Sequence, residues 1–359
     1  MEEHWYNLIA AVLTTIAVIG SSANLAVIII VARNRKLWNR QCMLIINVAC
    51  ADFFNATFGI LMPLTSSIHR QWIFGDLGCN FYAFVTTVVG TASATTLAFL
   101  ALDRALKICQ STWILKLPET RLIIVVLWIY SFIVSSPPLF GWGNFILEGP
   151  GISCSVDWMS TTWNSLSYIT FLFTMGFFLQ ILIISISYVS IHLAIRQVTS
   201  TGESQRTTVA RRAERKVACM LTLMVVCYLI AWLPYALFAL TKVFHAVFGS
   251  SVMLIDVNGI GGYIPALLAK TSITYNPVIY VLFNTQICRN GPHFSFNQAN
   301  VGESNRAVGN TRQVTINQPS AFDLPRISCI AESQLASMQT DAISSEGSRR
   351  TLLLSKTYH

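Results

Sequence analysis

Charge is what this chain has little of. Asp, Glu, Lys and Arg make up 11% of its 359 residues, while apolar types make up 53%. That balance is too oily for a soluble domain of this length and makes a bilayer the expected solvent. Strand alternation and the even spacing of barrel segments are also missing, which leaves helices to satisfy the backbone inside lipid. The nine cysteines show no metal-ligand spacing, so no metal centre is expected. No internal repeat is found. The apolar run that follows Met1 is too long for a cleavable signal peptide and is expected to act as a signal anchor. Asn55-Ala56-Thr57 matches the glycosylation pattern but lies within the second apolar run, beyond the reach of that chemistry.

What is present is a set of seven apolar runs, near 8–32, 41–66, 78–106, 121–142, 165–194, 216–241 and 258–283. Each is long enough to cross the hydrocarbon core, which takes about 20 helical residues. The expected fold is therefore all-α, a seven-helix bundle in lipid. The net charge of +8 does not point to nucleic acid, because the cations are confined to particular loops. Arg33, Arg35, Lys36 and Arg40 follow the first run, Lys107 and Lys116 the third, and Arg206, Arg211, Arg212, Arg215 and Lys216 precede the sixth. Those loops are expected on the cytoplasmic side of the plasma membrane, with residues 1–7 outside. The opposite loops carry Asp76, Glu148, Asp157 and Asp256. Cys79 and Cys154 also fall on that outer side, where disulfides persist. Residues 284–292 are expected to form a short amphipathic eighth helix. From 293 to 359 the chain is rich in Ser, Thr, Asn and Gln and is expected to be a disordered tail. The hydroxyls from Ser344 to Thr357, beside Arg349 and Arg350, suit phosphorylation, and the tail would meet a receptor kinase and arrestin.

An ionisable side chain inside such a span costs on the order of 2.5–3.5 kcal/mol, so each one asks for a reason. Asp52 lies in the second run, Asp103-Arg104 ends the third and Lys270 lies midway along the seventh, with Asn24 and Asn276 as further polar groups. A buried network of Asn24, Asp52 and Asn276 would satisfy all three. For Lys270 two readings stand: a plain buried ion pair, or a Schiff base, which suits lysine because its desolvated amine loses charge and attacks carbonyls.

Taken in order, the motifs resemble rhodopsin-like receptors from the first helix to the end of the seventh. Gly20 and Asn24 stand in the first-helix Gly-x-x-x-Asn pattern and Asp52 in the second-helix Ala-x-Ala-Asp pattern, and Trp128 with Pro137-Pro138 marks the fourth. Trp232-Leu233-Pro234-Tyr235 stands in the sixth and Asn276-Pro277-Val278-Ile279-Tyr280 in the seventh. Within that class the chain resembles the opsins, because Lys270 stands seven residues before Pro277, where opsins carry the retinal lysine. The segments Pro138–Trp142 and Cys154–Trp158 resemble the opsin second outer loop. The resemblance implies a disulfide from Cys79 to Cys154 and a strand pair that lids the pocket.

The same resemblance implies 11-cis-retinal in the dark and the all-trans isomer after light, held as a protonated Schiff base on Lys270. Vertebrate visual opsins place a glutamate three residues after the disulfide cysteine; here that residue is Tyr82. Glu148 occupies the second-loop position that serves as counterion in many bistable opsins, and is the expected counterion. The implied lining is Tyr82, Thr87, Gly90, Phe173, Phe177, Tyr228, Trp232, Tyr235 and Ala266. Trp232 would respond to isomerisation, with the sixth helix kinked at Pro234 swinging outward. At the inner end, Arg104 would pair with Asp103 and Glu214, while Tyr188, Asn276, Pro277 and Tyr280 would switch on activation by which a heterotrimeric G protein is engaged.

The chain departs from the pattern at Gln180, which replaces the fifth-helix proline, at Ala231 and Ala105, and at Thr285. Two other readings fit the same motifs: a receptor for a diffusible ligand and a retinal photoisomerase. A light-driven pump is disfavoured because the stretch from Tyr82 to Thr96 holds no aspartate.

Overall fold

The computed structural model describes residues 2–109, 116–199, 205–248 and 260–283. The expected eighth helix and tail, Asp256 and the side chain of Glu214 lie outside the described residues. Seven long helices follow one another: Glu3–Arg33, then Arg40–Ile68, Gly75–Cys109, Leu117–Ser135, Trp163–Thr199, Gln205–Phe248 and Ile260–Phe283. Six are long and apolar enough to cross a membrane; the seventh carries Lys270, Asn276 and two prolines among its apolar residues and packs against the sixth and first.

Most boundaries fall within a turn of expectation, and the exceptions have local causes. The first helix begins at Glu3, so the expected outer segment is already helical. The fourth stops at Ser135 because Pro137 and Pro138 supply no backbone N–H and restrict the residues before them. The chain turns there through a 3₁₀ segment, Pro137–Phe140, closed by Gly141 at φ 87°. The sixth begins at Gln205, well before the apolar run.

Two π turns widen the outer halves of the bundle, Asn55–Gly59 in the second helix and Thr174–Phe178 in the fifth. A π turn leaves carbonyls out of register, and both find side-chain donors. The Tyr82 hydroxyl lies 3.3 Å from the Gly59 carbonyl. Gln180 Nε2 and the Tyr130 hydroxyl each donate to the Met175 carbonyl at 2.7 Å. Gln180, a departure from the family pattern, therefore secures by a hydrogen bond a widened turn.

Close packing explains the first-helix motif. A Cβ on Gly20 would stand 3.1 Å from Ile273 Cγ2 and 3.2 Å from Ala56, so a larger residue would push its neighbours back by a few tenths of an ångström. One turn on, Asn24 Nδ2 donates to the carbonyls of Gly20 at 2.8 Å and Ile273 at 3.0 Å.

Outside the helices, β1 (Phe145–Glu148) pairs antiparallel with β2 (Ser153–Val156), with Leu147 opposite Cys154 and Glu148 opposite Ser153. The turn between them needs left-handed backbone at Gly149 and Gly151, at φ 54° and 73°, and the Gly151 N–H closes it on the Glu148 carbonyl. Cys154 is bonded to Cys79 at the outer end of the third helix, as the resemblance implied, with 5.4 Å between Cα atoms. This bond pins β2, and through it β1, across the mouth of the bundle.

Replacing Cys79 or Cys154 by serine is expected to lower the yield of folded protein at the membrane, since losing a native disulfide costs about 2–5 kcal/mol. Both sulfurs of the unreduced protein should resist a membrane-impermeant alkylating agent; free reaction of both would show that no bridge forms.

Candidate functional site

Beneath the strand pair lies a cavity of about 180 Å³. Lys270 reaches it from the middle of the seventh helix, and its Nζ donates to the Tyr82 hydroxyl at 3.1 Å. The ammonium is 5.7 Å from the centre of that ring. Tyr82, from the third helix, thus accepts a hydrogen bond from the amine while its own O–H donates to the Gly59 carbonyl. That carbonyl ends the π turn of the second helix and lacks its usual helical donor, because Pro63, four residues on, has no N–H.

The rest of the wall is mostly apolar. Phe173 and Phe177 meet edge to face at 6.4 Å, and Tyr228 stacks on Trp232 at 5.7 Å between centroids. Trp232 Nε1 donates to Ser272 Oγ at 3.2 Å, which fixes the indole at the cavity's inner end. Gly90 faces it, and a Cβ there would lie 3.6 Å from Trp232 Cη2, an ordinary contact. Toward the outside, Trp158 Nε1 donates to the Tyr235 hydroxyl at 3.2 Å. All nine residues expected to line the pocket do so, together with Lys270 and Glu148. Asn55, Thr86, Trp158 and Ala269 also line it and were not foreseen. Trp158 closes the loop motif and Ala269 adjoins the lysine, so both carried a signal; Asn55 enters through the π turn, which no sequence pattern announced.

Glu148 hangs from the end of β1 at the outer wall and is 6% exposed, so it is not a solvated loop acid. Burial pushes its carboxyl above the usual range; the Lys242 and Lys270 ammonium groups and the hydroxyls of Tyr235 and Ser155 pull it partly back. Its Oε1 has no hydrogen-bond partner. Among the described residues it makes no direct ion pair with Lys270; the two share the cavity and act through space. Lys242, also buried, was missed because the sixth apolar run was ended one residue before it.

Deeper in the bundle, Asn276 Nδ2 donates to Asp52 Oδ2 at 2.8 Å and Ser93 Oγ to Asp52 Oδ1 at 3.2 Å. The expected trio is corrected in one member: Asn24 does not reach Asp52, because its amide is committed to two backbone carbonyls, and Ser93 takes its place. At the inner end Arg104 Nη2 pairs with Asp103 Oδ2 at 2.9 Å, as expected. Arg40 of the second helix adds an unforeseen second cation, 3.5 Å from Asp103 Oδ1. Tyr280 is fully buried with its hydroxyl lacking a partner, and Tyr188 faces the same half of the bundle.

Residues 23–280 match the model of the seven-transmembrane receptors of the rhodopsin family. Over 285 residues the chain is 33% identical to the blue-sensitive opsin of Gallus gallus, covering 78% of this chain and 76% of that one. The chain belongs to the opsins. It is also 34% identical over 289 residues to the melanopsin of Rutilus rutilus, covering 78% of this chain and 56% of that protein. This opsin thus spans little over half the length of that relative. The crystal structure of squid rhodopsin has the same fold, with a TM-score of 0.73 and 26% identity over 81% of this chain and 85% of that one.

Asn276→Ala strips the buried Asp52 carboxyl of one donor. It is expected to destabilise the opsin by roughly 1–3 kcal/mol, read as a lower thermal inactivation temperature in detergent; an unchanged temperature would mean that water replaces the amide without loss.

Proposed function

We propose that this opsin is a light-sensing receptor that binds retinal on Lys270, 11-cis in the dark and all-trans after light, and activates a heterotrimeric G protein. The observation that carries the reading is an amine in the middle of a membrane bundle, opening into an aromatic cavity whose outer wall holds a buried carboxyl. The residues fit the group. A polyene suits the apolar walls, the amine supplies the anchor, and the unpartnered Glu148 oxygen is an acceptor awaiting a cation. Retinal, when bound, supplies a light-isomerised polyene and places a cation at the lysine nitrogen.

The chain's own residues then have distinct tasks. Tyr82 accepts a hydrogen bond at Lys270 Nζ, and as a neutral phenol it adds no charge. Glu148 is the anion that holds a proton on that nitrogen, because a bare cation in low dielectric gives its proton up. Trp232 forms the inner wall and sits two residues before Pro234, where the helix lacks a backbone hydrogen bond and can bend. Asp103, held by Arg104 and Arg40, restrains the inner end in the closed form. On opening, Tyr188 and Tyr280 support the cavity that receives the G protein, with Glu214 and the basic inner loops at its rim. The tail is the expected site for receptor kinase and arrestin. The amino end is outside, the carboxyl end in the cytoplasm, and the membrane is the plasma membrane.

Lys270→Ala should abolish any visible pigment on addition of 11-cis-retinal while leaving folded protein at the membrane; a variant with a normal spectrum defeats the reading. Glu148→Gln removes the negative charge, so at neutral pH the nitrogen should lose its proton and absorption should move from the visible to the ultraviolet, returning on acidification. Tyr82→Phe should keep the visible band. If Glu148→Gln keeps it too, in halide-free and mildly alkaline buffer, the counterion lies elsewhere. Light should also raise nucleotide exchange on at least one G-protein family; silence across all of them, with light-dependent release of a retinal isomer, would overturn signalling.

A further inference from the structure

Arg40 is the first residue of the second helix and follows directly on its cap, Asn39, whose side chain accepts the Cys42 N–H at 3.0 Å. That is a poor place for a cation, because the first turn of a helix carries partial positive charge. At the inner end of a membrane bundle an arginine also has water within reach, and Arg33 and Arg35, just before it in the chain, are exposed. Arg40 turns inward instead. Its side chain is 15% exposed, and Nη1 stands 3.5 Å from Oδ1 of Asp103, whose own side chain is 1% exposed. The carboxylate outweighs both the helix end and the solvent.

The two cations on Asp103 are not equivalent. Arg104 Nη2 donates a hydrogen bond to Oδ2 at 2.9 Å. Oδ1 has no hydrogen-bond partner, so Arg40 touches it as a charge without yet having closed a bond. Arg104 also shares the third helix with Asp103, whereas Arg40 comes from the second, which packs against the first and the third. A buried carboxylate that has a single cation is left uncompensated when that cation departs, which is strongly unfavourable. One with two cations keeps the second.

We propose that Arg40 is a positioning residue that takes over Asp103 when Arg104 lets go: as the inner end opens, its guanidinium closes on Oδ1 and keeps the carboxylate paired. This rests on the signalling reading, in which that end opens to receive a G protein. In the closed form Arg40 adds to the hold on Asp103. Its larger effect falls on the open form, where it is the cation that remains, so it lowers the cost of opening.

The test compares nucleotide exchange in the dark and in the light, in variants whose dark pigment has a normal spectrum. Arg40→Met, which keeps most of the apolar stem, should lower light-stimulated exchange by about tenfold or more, since a buried charge left without its partner costs at least that. Exchange in the dark should not rise. Arg40→Lys should recover most of the loss, and in an Asp103→Asn background Arg40→Met should have no further effect, because no charge is left to hold. If Arg40→Met does not reach the membrane with a normal spectrum, Arg40→Gln is read in its place. A rise in the dark would overturn the proposal and make Arg40 a lock on the closed form; unchanged exchange in the light would leave it an interfacial pair of small worth. The signalling reading fails separately, through an unaltered opsin that is silent toward every G-protein family, and it takes this inference with it.

Discussion

One amine in a medium that resists charge sets the terms for the outer half of this molecule. An ammonium at mid-membrane depth costs on the order of several kcal/mol unless polar groups meet it. Lys270 is met by the Tyr82 hydroxyl and, through space, by Glu148. Tyr82 is in turn tied to the Gly59 carbonyl, which lacks its usual helical donor because Pro63, four residues on, has no N–H. Glu148 is held by β1, which is paired to β2, which is bonded through Cys154 to the third helix.

The inner half follows a different logic. There the charges pair within the protein: Asp103 lies between Arg104 and Arg40, and Asp52 between Asn276 and Ser93. Such pairs are weak evidence for stability, because desolvation offsets much of the attraction, but breaking one by removing a partner costs several kcal/mol. They are therefore suited to holding one arrangement until something larger shifts it. Trp232 and Pro234 stand between the two halves, with the indole anchored to Ser272 of the seventh helix. The sixth and seventh helices, which both carry cavity residues, pack against each other.

Much of this was legible beforehand for a physical reason: in lipid, apolar length fixes the helices and every charge must be explained. Lys270, Asp52 and the Asp103-Arg104 pair could each be located in one dimension, because a single residue of the wrong polarity stands out against an apolar background, while the Cys79–Cys154 bond was implied by resemblance. The lining aromatics were found by resemblance rather than by physics, since an aromatic in a membrane helix is more often filler than wall. What sequence did not carry was departure from regular helix. The π turns at Asn55–Gly59 and Thr174–Phe178 have no compositional mark, and without them neither Asn55 as a lining residue nor the role of Gln180 could be read.

The sequence by itself determined that this is a helical membrane bundle with a lysine midway along its seventh span, because hydropathy acts over the length of a helix and needs no partner to be read. Only the tertiary structure decided which charges meet. Glu148 is a loop acid by sequence and a buried group by structure, Lys242 changes from an end-of-span lysine to a buried one beside Phe238, and Asn24 turns from a carboxylate partner to a backbone tie. Each of those outcomes depends on distances between elements far apart in the chain, and electrostatics in low dielectric is decided by such distances rather than by residue type.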